Sequence, residues 1–181
     1  MVPEATLAQA EHGLVPNGPG WYVVSARDVQ WWGADGRGAY SHFEGEPGFE
    51  QLGISLVTLA PGEAMAMYHW EADEEDFLVL AGEAVLIVEG EERPLRAWDF
   101  VHCPPGTKHV IVGAGDSRCL LVAVGARVES VTENWGGYTV DETAAKHGAS
   151  VDEETTEPVE AYAKVAKRQA ASCGEDWLPS L

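Results

Sequence analysis

Two histidines and two glutamates in the middle of the sequence have residue types and spacings that suit metal chemistry. His69 and Glu71 are two positions apart, Glu75 follows after three further residues, and His109 comes three positions after the glycine of a Pro-Pro-Gly turn at 104–106. Imidazole and carboxylate groups together suit a divalent ion such as iron, manganese, zinc or nickel. Two carboxylates would neutralise the charge of that ion, whereas without it they would repel each other.

The parity of one strand decides whether these groups meet. Alternate residues of a strand point to the same face, so His69 and Glu71 would share one face and Tyr68 and Trp70 the other. If the tyrosine and the tryptophan point into the core instead, His69 lies outside and Glu71 belongs to a solvated acidic turn over residues 71–76. The pattern leaves both arrangements open.

The region around these residues predicts an all-β domain. From Gln51 to Arg127, short apolar runs alternate with glycine and proline turns, and no helical period separates them. Closely spaced short strands of this kind indicate a β-sandwich or a β-barrel. The strands are predicted at residues 52–59, 64–70, 77–81, 84–88, 93–95, 100–103, 109–112 and 118–124. On the same face as His69, we expect Met65, Met67, Phe77 and Val79 to line the interior.

The chain therefore divides into three parts: an N-terminal extension over residues 1–50, the β domain over 51–127, and a C-terminal extension over 128–181. We expect strands of the first part to pack on the β domain and short helices in the last part. The predicted elements of the extensions are a helix at 4–12, strands at 21–24 and 29–32, loops at 33–49 and 134–138, a helix at 141–147 capped by Asp141, and a helix from Pro158 to Gln169.

The charge excludes two classes of partner. The 181 residues contain 30 Asp and Glu against 11 Lys and Arg, which gives a formal net charge of −19. Nucleic acids and anionic membranes attract positively charged surfaces, so we expect neither as a partner. The sequence has no apolar run of about 18 residues and no basic and apolar leader, and its three cysteines form no CxxC motif. We therefore expect a cytoplasmic protein.

Two segments resemble the paired motifs of the cupin superfamily. Glu75 followed after six residues by Gly82 resembles the end of the first cupin motif, and the run Pro-Pro-Gly-Thr-Lys-His at 104–109 resembles the centre of the second. The resemblance covers about residues 51–125 and implies a single jelly-roll β-barrel. It also implies four metal ligands, with a glutamate in place of one histidine: His69, Glu71, Glu75 and His109.

The sequence departs from the motifs at three places. Counting five residues after Gly62 puts Tyr68 and Trp70 at the two histidine positions, whereas counting six puts His69 and Glu71 there. We prefer the second count because it supplies ligands and keeps a valid spacing to Glu75. In the second motif, a tryptophan at position 98 stands where the family has glycine, and a glycine at position 113 stands where it has asparagine.

The resemblance implies a metal-binding cupin with one divalent ion in the barrel and a small organic substrate or ligand, as an oxygenase or as an isomerase or lyase. The alternative is a metal-free, non-catalytic barrel that binds a small molecule or serves as a scaffold. A neutral or apolar ligand suits this region better than a phosphate, because residues 50–125 contain few basic side chains. The resemblance also implies a homodimer.

Overall fold

A computed structural model describes residues 1–129 and 133–179. Within these ranges the chain is mostly β, with fourteen strands and two short helices. The strands are β1 (Thr6–Ala10), β2 (Gly13–Asn17), β3 (Trp31–Ala34), β4 (Arg37–Ser41), β5 (Leu52–Leu59), β6 (His69–Glu71), β7 (Glu75–Ala81), β8 (Glu83–Val88), β9 (Glu91–Arg96), β10 (Phe100–Cys103), β11 (His109–Ala114), β12 (Cys119–Ala126), β13 (Gly136–Tyr138) and β14 (Gln169–Ala171). The helices are α1 (Glu142–Lys146) and α2 (Pro158–Ala161).

Two antiparallel sheets pack face to face as a β-sandwich. The larger sheet has the order β10-β7-β12-β5-β4-β3-β14 and the smaller has the order β13-β6-β11-β8-β9, while β1 and β2 form a separate hairpin. The predicted all-β class is confirmed. The single closed barrel is not, because no strand pair joins the two sheets in the part of the chain described. One reason lies in β9, an edge strand whose Pro94 has no N–H to continue the ladder.

The core between the sheets is apolar and comes from both of them. Phe77 and Val79 of the larger sheet meet Ile111 of the smaller, and all three are almost fully buried. Phe77 and Val79 therefore line the interior as predicted, and Met65 packs against the same core. Met67 does not, because it precedes β6 and packs instead with Tyr138 in a cluster at the C-terminal side.

The C-terminal extension covers the outer face of the smaller sheet. Tyr68 and Val110 lie on that face and pack against Ala144 of α1. The Asp141 side chain accepts a hydrogen bond from the backbone N–H of Ala144 at 2.7 Å, which satisfies a free donor in the first turn. The predicted helix and its cap are confirmed. The same sheet is consequently covered on both faces.

The N-terminal extension adds strands where a helix and a loop were predicted. Residues 6–17 form the β1–β2 hairpin instead of a helix, and β4 lies within the predicted loop and pairs with β5. Gly38 allows this pairing, since a Cβ there would stand 2.2 Å from the Leu59 side chain. Pairing with a distant strand has overridden the local preference of these glycine-rich residues.

Four further predictions fail on segment length or type. No strand forms at 21–24, where Trp21 makes only an isolated bridge to Glu4. The strand predicted at 64–70 is limited to the three residues of β6, and the second C-terminal helix ends at Ala161. The loop predicted at 134–138 contains β13, which pairs with β6.

Trp98 adopts a positive φ of 76°, the conformation that explains why the second cupin motif has glycine there. No helix among the described residues is long and apolar enough to span a membrane.

Candidate metal centre

Three of the four predicted ligands meet at strand ends. His69 is the first residue of β6 and His109 the first residue of β11, and the two are direct cross-strand partners. Their ring centroids lie 5.0 Å apart. Glu75 is the first residue of β7 in the opposite sheet and points into the same space. The site thus joins the two sheets at one end of the sandwich.

The candidate ligand atoms converge. His109 Nε2 lies 3.2 Å from Glu75 Oε2, and His69 Nε2 lies 3.8 Å from the same oxygen. One ligand atom from each of the three residues falls within 4.8 Å of the other two. This spacing is compatible with one small cation bound by all three groups.

Backbone carbonyls orient both imidazoles. His69 Nδ1 lies 2.8 Å from the Met67 carbonyl oxygen, and His109 Nδ1 lies 3.0 Å from that of Thr107. A carbonyl oxygen only accepts, so each Nδ1 carries a proton and donates it. In the neutral ring the lone pair is then on Nε2, which faces Glu75. Metal-binding histidines are commonly fixed by a second hydrogen bond of this kind.

The convergent atoms lack other partners. His109 is 1% exposed and His69 is 7% exposed. Glu75 Oε2 and His109 Nε2 are both buried and form no hydrogen bond of ordinary geometry among the described residues, and their 3.2 Å ion-pair contact is with each other. Buried polar atoms that lack regular hydrogen bonds are rare in folded proteins and need an explanation. Two imidazole nitrogens and a carboxylate fit a divalent ion of the first transition row or zinc.

The same groups hold opposite charges when no cation is bound. Burial opposes the charged form of His109, but the Cys103 sulfur and the Glu75 carboxylate outweigh it and raise the pKa of His109 to about 10. Burial also opposes the charged form of Glu75, yet the imidazoles of His109 and His69 hold the pKa of Glu75 below 4.5. At neutral pH a cation that binds His109 Nε2 must therefore displace a proton.

Glu71 lies beside the three-residue cluster and is not part of it. Its Oε1 is 3.7 Å from His69 Nε2, and its side chain is 22% exposed against 15% for Glu75. Glu71 and His69 share the inner face, whereas Tyr68 lies on the outer face, where its hydroxyl accepts a hydrogen bond from the backbone N–H of Gly90. Of the two arrangements that the sequence left open, the structure has the one in which His69 points into the space between the sheets.

Tyr138 borders the site and was assigned to a loop by its sequence. Its ring lies 5.9 Å from that of His69, because β13 pairs with β6 and sets the two residues opposite each other. Burial, followed by neighbouring Tyr162 and Glu71, raises the pKa of the Tyr138 hydroxyl, which therefore keeps its proton near neutral pH. No local pattern marks Tyr138, since its partner strand lies more than 60 residues earlier in the chain.

Comparison with known proteins identifies the β domain. Residues 55–125 match the family model described as a cupin domain. The chain contains a cupin domain, and this domain carries His69, Glu75 and His109. No curated protein matches the sequence.

Solved structures overlap with part of the chain. A sugar phosphate isomerase of the cupin superfamily from Silicibacter pomeroyi DSS-3 is 26% identical, with a TM-score of 0.47 over 50% of this chain and 60% of that one. A DMSP lyase from Ruegeria pomeroyi DSS-3 is 26% identical, with a TM-score of 0.45 over 53% of this chain and 50% of that one. A polyketide cyclase from Streptomyces resistomycificus is 17% identical, with a TM-score of 0.45 over 50% and 65%. The chain thus spans about half to two thirds of these structures.

Proposed function

We propose that the protein is a metal-binding cupin that holds one divalent ion between its sheets and takes a small organic molecule beside it. His69, Glu75 and His109 are the proposed ligands, and Glu71 is the proposed fourth. The observation that carries the proposal is the convergence of one ligand atom from each of these three residues within 4.8 Å, where Glu75 Oε2 and His109 Nε2 are buried and have only their ion-pair contact with each other in place of regular hydrogen bonds.

The donor set supports the proposal chemically. Two neutral imidazoles with one or two carboxylates suit iron, manganese, zinc and nickel. A bound ion of this kind would supply Lewis acidity to an oxygen of a small molecule. The oriented Nδ1–H groups of the two histidines fix the rings before binding, so little conformational freedom is lost when a cation binds.

We assign the handling of protons to two residues of the chain. Glu71 is the most exposed of the four carboxylate and imidazole groups, so it is the proposed one to accept a proton from a bound molecule. The Tyr138 hydroxyl keeps its proton near neutral pH and is the proposed donor of a hydrogen bond. This pair would serve an isomerase or a lyase, in which a proton moves, more directly than an oxygenase.

A metal analysis of matched variants tests the proposal. The protein is freed of metal with a chelator, loaded with each candidate ion in turn and desalted, and the metal content is then measured by mass spectrometry. We expect close to one ion per chain in the parent, and a loss of binding in His69→Ala, Glu75→Gln and His109→Ala. His102→Ala is the control, because His102 is half exposed and pairs with Asp76, which follows Glu75 in β7 and therefore points to the opposite face of that strand.

The comparison of Glu71→Gln with Glu75→Gln defines the fourth ligand. A fourth ligand at Glu71 predicts weakened binding in both variants, whereas a proton acceptor there predicts full metal content in Glu71→Gln. The metal-free alternative also has an observation in its favour, since His109 and Glu75 already form a compensated pair of charges. A parent protein that binds none of the ions would refute the proposal and favour that alternative.

A further inference from the structure

A second cleft lies outside the sandwich, and none of the proposed metal ligands lines it. Its volume is about 610 Å³, which is within the usual range for small-molecule sites. The β3–β4 hairpin, β14 with the residues before it, and Trp177 form its walls. The N-terminal and C-terminal extensions thus build a cavity to which the cupin domain contributes only Glu63 and Arg118.

Positive charge gathers at this cleft although the chain is strongly acidic. Of the 11 Lys and Arg residues in the sequence, Arg37, Arg118 and Lys167 line the cleft. A fourth, Arg168, follows Lys167 in the chain and lies close enough to Arg37 for the two charges to interact. Asp35 and Glu63 are the acidic residues of the lining.

The acidic residues compensate only part of this charge. Arg118 is paired with Asp176 at 2.7 Å and approaches Glu63 at 3.4 Å. Arg37 and Arg168 are different, because neither forms an ion pair with any residue that the structure describes. Arg37 has one hydrogen bond, from Nη1 to the Ala166 carbonyl at 3.1 Å, and its guanidinium lies over the Tyr162 ring, 4.5 Å from the centroid.

The hydrogen bonds of Arg168 go to neutral groups. Its Nε donates to the Gly38 carbonyl at 2.9 Å, its Nη2 donates to the Met65 carbonyl at 2.8 Å, and its guanidinium lies 5.0 Å from the Tyr40 ring centroid. Burial and then the charge of Arg37 lower the pKa of Arg168. Among the acidic residues, Glu63 acts on the charge of Arg168 in the opposite direction, but it already contacts Arg118. The positive charge of Arg37 and Arg168 is therefore only partly compensated.

We propose that this cleft binds a small organic anion, and that Arg37 and Lys167 hold its carboxylate or phosphate group. Arg168 adds positive potential from behind, and Trp177 supplies an apolar wall for the rest of the molecule. An arginine fork matches the geometry of either oxyanion and forms hydrogen bonds that are stronger than neutral ones. The bound anion is the missing partner of the two guanidinium groups.

This proposal does not depend on the metal centre. The expectation of a neutral or apolar ligand concerned residues 50–125 and stays a prediction for the metal centre. Arg37, Lys167 and Arg168 lie outside residues 50–125, and only the folded extensions bring them together. The cleft therefore favours an anionic ligand, which the residues of the cupin domain alone do not.

Titrations with simple anions test the proposal on the full chain. Inorganic phosphate and sodium acetate are added separately, with sodium chloride at matched ionic strength as the reference, while heat of binding and the indole N–H signal of Trp177 in NMR spectra are followed. We expect saturable binding of at least one oxyanion with a shift of that signal. The stronger of the two probes identifies the ligand as a phosphate or as a carboxylate.

Matched variants assign the binding to the cleft. We expect Arg37→Gln to weaken binding about tenfold or more, since a hydrogen bond between charged groups is lost. Arg93→Gln is the control, because Arg93 is exposed and pairs with Glu91 on β9. His69→Ala should bind the anion normally, which separates this site from the metal centre.

Two results would overturn the proposal. One is binding of both oxyanions no stronger than that of chloride, and the other is an equal loss in Arg37→Gln and Arg93→Gln. Arg37→Lys guards against a folding defect in Arg37→Gln, because it keeps the charge and loses only the fork. We expect Arg37→Lys to bind with intermediate affinity.

Discussion

His109 and Glu75 place opposite charges 3.2 Å apart in an interior with little access to water. A protonated His109 stabilises the metal-free protein, whereas a neutral His109 is needed to bind a cation. The same residue therefore links proton binding, metal binding and the free energy of unfolding. The stability of the metal-free and of the metal-loaded protein should therefore depend differently on pH.

For the metal-free protein we predict a loss of stability as the pH rises. The pKa of His109 is raised from 6.5 to about 10, so its contribution is complete below pH 6.5 and is lost between these two values. Because one pKa unit corresponds to about 1.4 kcal/mol, we expect the free energy of unfolding to fall by more than about 1 kcal/mol from pH 6.5 to 9.5. Urea denaturation at several pH values measures it.

The metal-loaded protein should not show this alkaline loss, since its His109 is already neutral. Metal affinity should instead increase over the same pH range, because fewer protons compete for Nε2. His109→Gln removes the titrating group and should flatten both trends. If the free energy of unfolding of His109→Gln depended on pH as strongly as that of the parent, a group other than His109 would be responsible.

At the scale of elements, β6 separates two environments with adjacent residues. His69 faces the interior between the sheets and Tyr68 faces α1, and both are buried. A strand at the surface of a two-layer protein usually has one solvated face, which lets its sequence indicate the parity. Here the C-terminal extension covers the second face, so residues of both faces are buried. The sequence of β6 alone therefore does not show which face is the inner one.

We predict that Tyr68→Phe affects stability and leaves metal binding unchanged. The substitution removes the hydroxyl that accepts a hydrogen bond from the Gly90 backbone, which should lower the free energy of unfolding by about 1 kcal/mol. Metal content should remain that of the parent, in contrast to His69→Ala. Denaturation and metal analysis of the same preparations measure both effects, and a loss of metal in Tyr68→Phe would contradict the assigned faces.

For the whole molecule, the extensions complete the cupin domain. The N-terminal extension contributes β3 and β4 to the larger sheet, and the C-terminal extension contributes β14, which pairs with β3 at the same edge. The segment between α2 and β14 is held in part by the Tyr162 hydroxyl, which accepts a hydrogen bond from the Met67 backbone at 3.2 Å. The division of the chain at residues 50 and 127 stays a prediction.

We predict that Tyr162→Ala loosens this segment. The variant loses the hydrogen bond to Met67, the edge contact with Tyr138 and the ring beneath Arg37. Trypsin should then cleave after Lys164 and Lys167 at least severalfold faster, because local opening exposes these bonds. Mass spectrometry of the fragments gives the rates.

Val159→Ala is the matched control for this measurement, since Val159 is in α2 and is 83% exposed. Equal cleavage of the two variants would mean that Tyr162 does not hold the segment. The homodimer also stays a prediction, which analytical ultracentrifugation tests. Trp31 is not available for such an interface, because it is fully buried against Trp177.

The sequence by itself determined the all-β class, most strands of the cupin domain and the identity of the candidate ligands. Strands such as β5 and β10 have apolar runs bounded by turn residues, which are local signals. The Pro-Pro-Gly turn and the spacing from Glu75 to Gly82 are local as well. Each of these features depends on residues that are close together in the chain.

Only the tertiary structure decided which face of β6 is inside, where β4 and β13 pair, and which groups lie beside the ligands. Tyr138 meets His69, and Arg37 meets Arg168, across long stretches of sequence. Such pairings depend on which strand edges and faces remain uncovered once the sandwich has formed. That competition between distant segments has no local signature, so the neighbours of the metal centre and the basic cleft appear only in the folded chain.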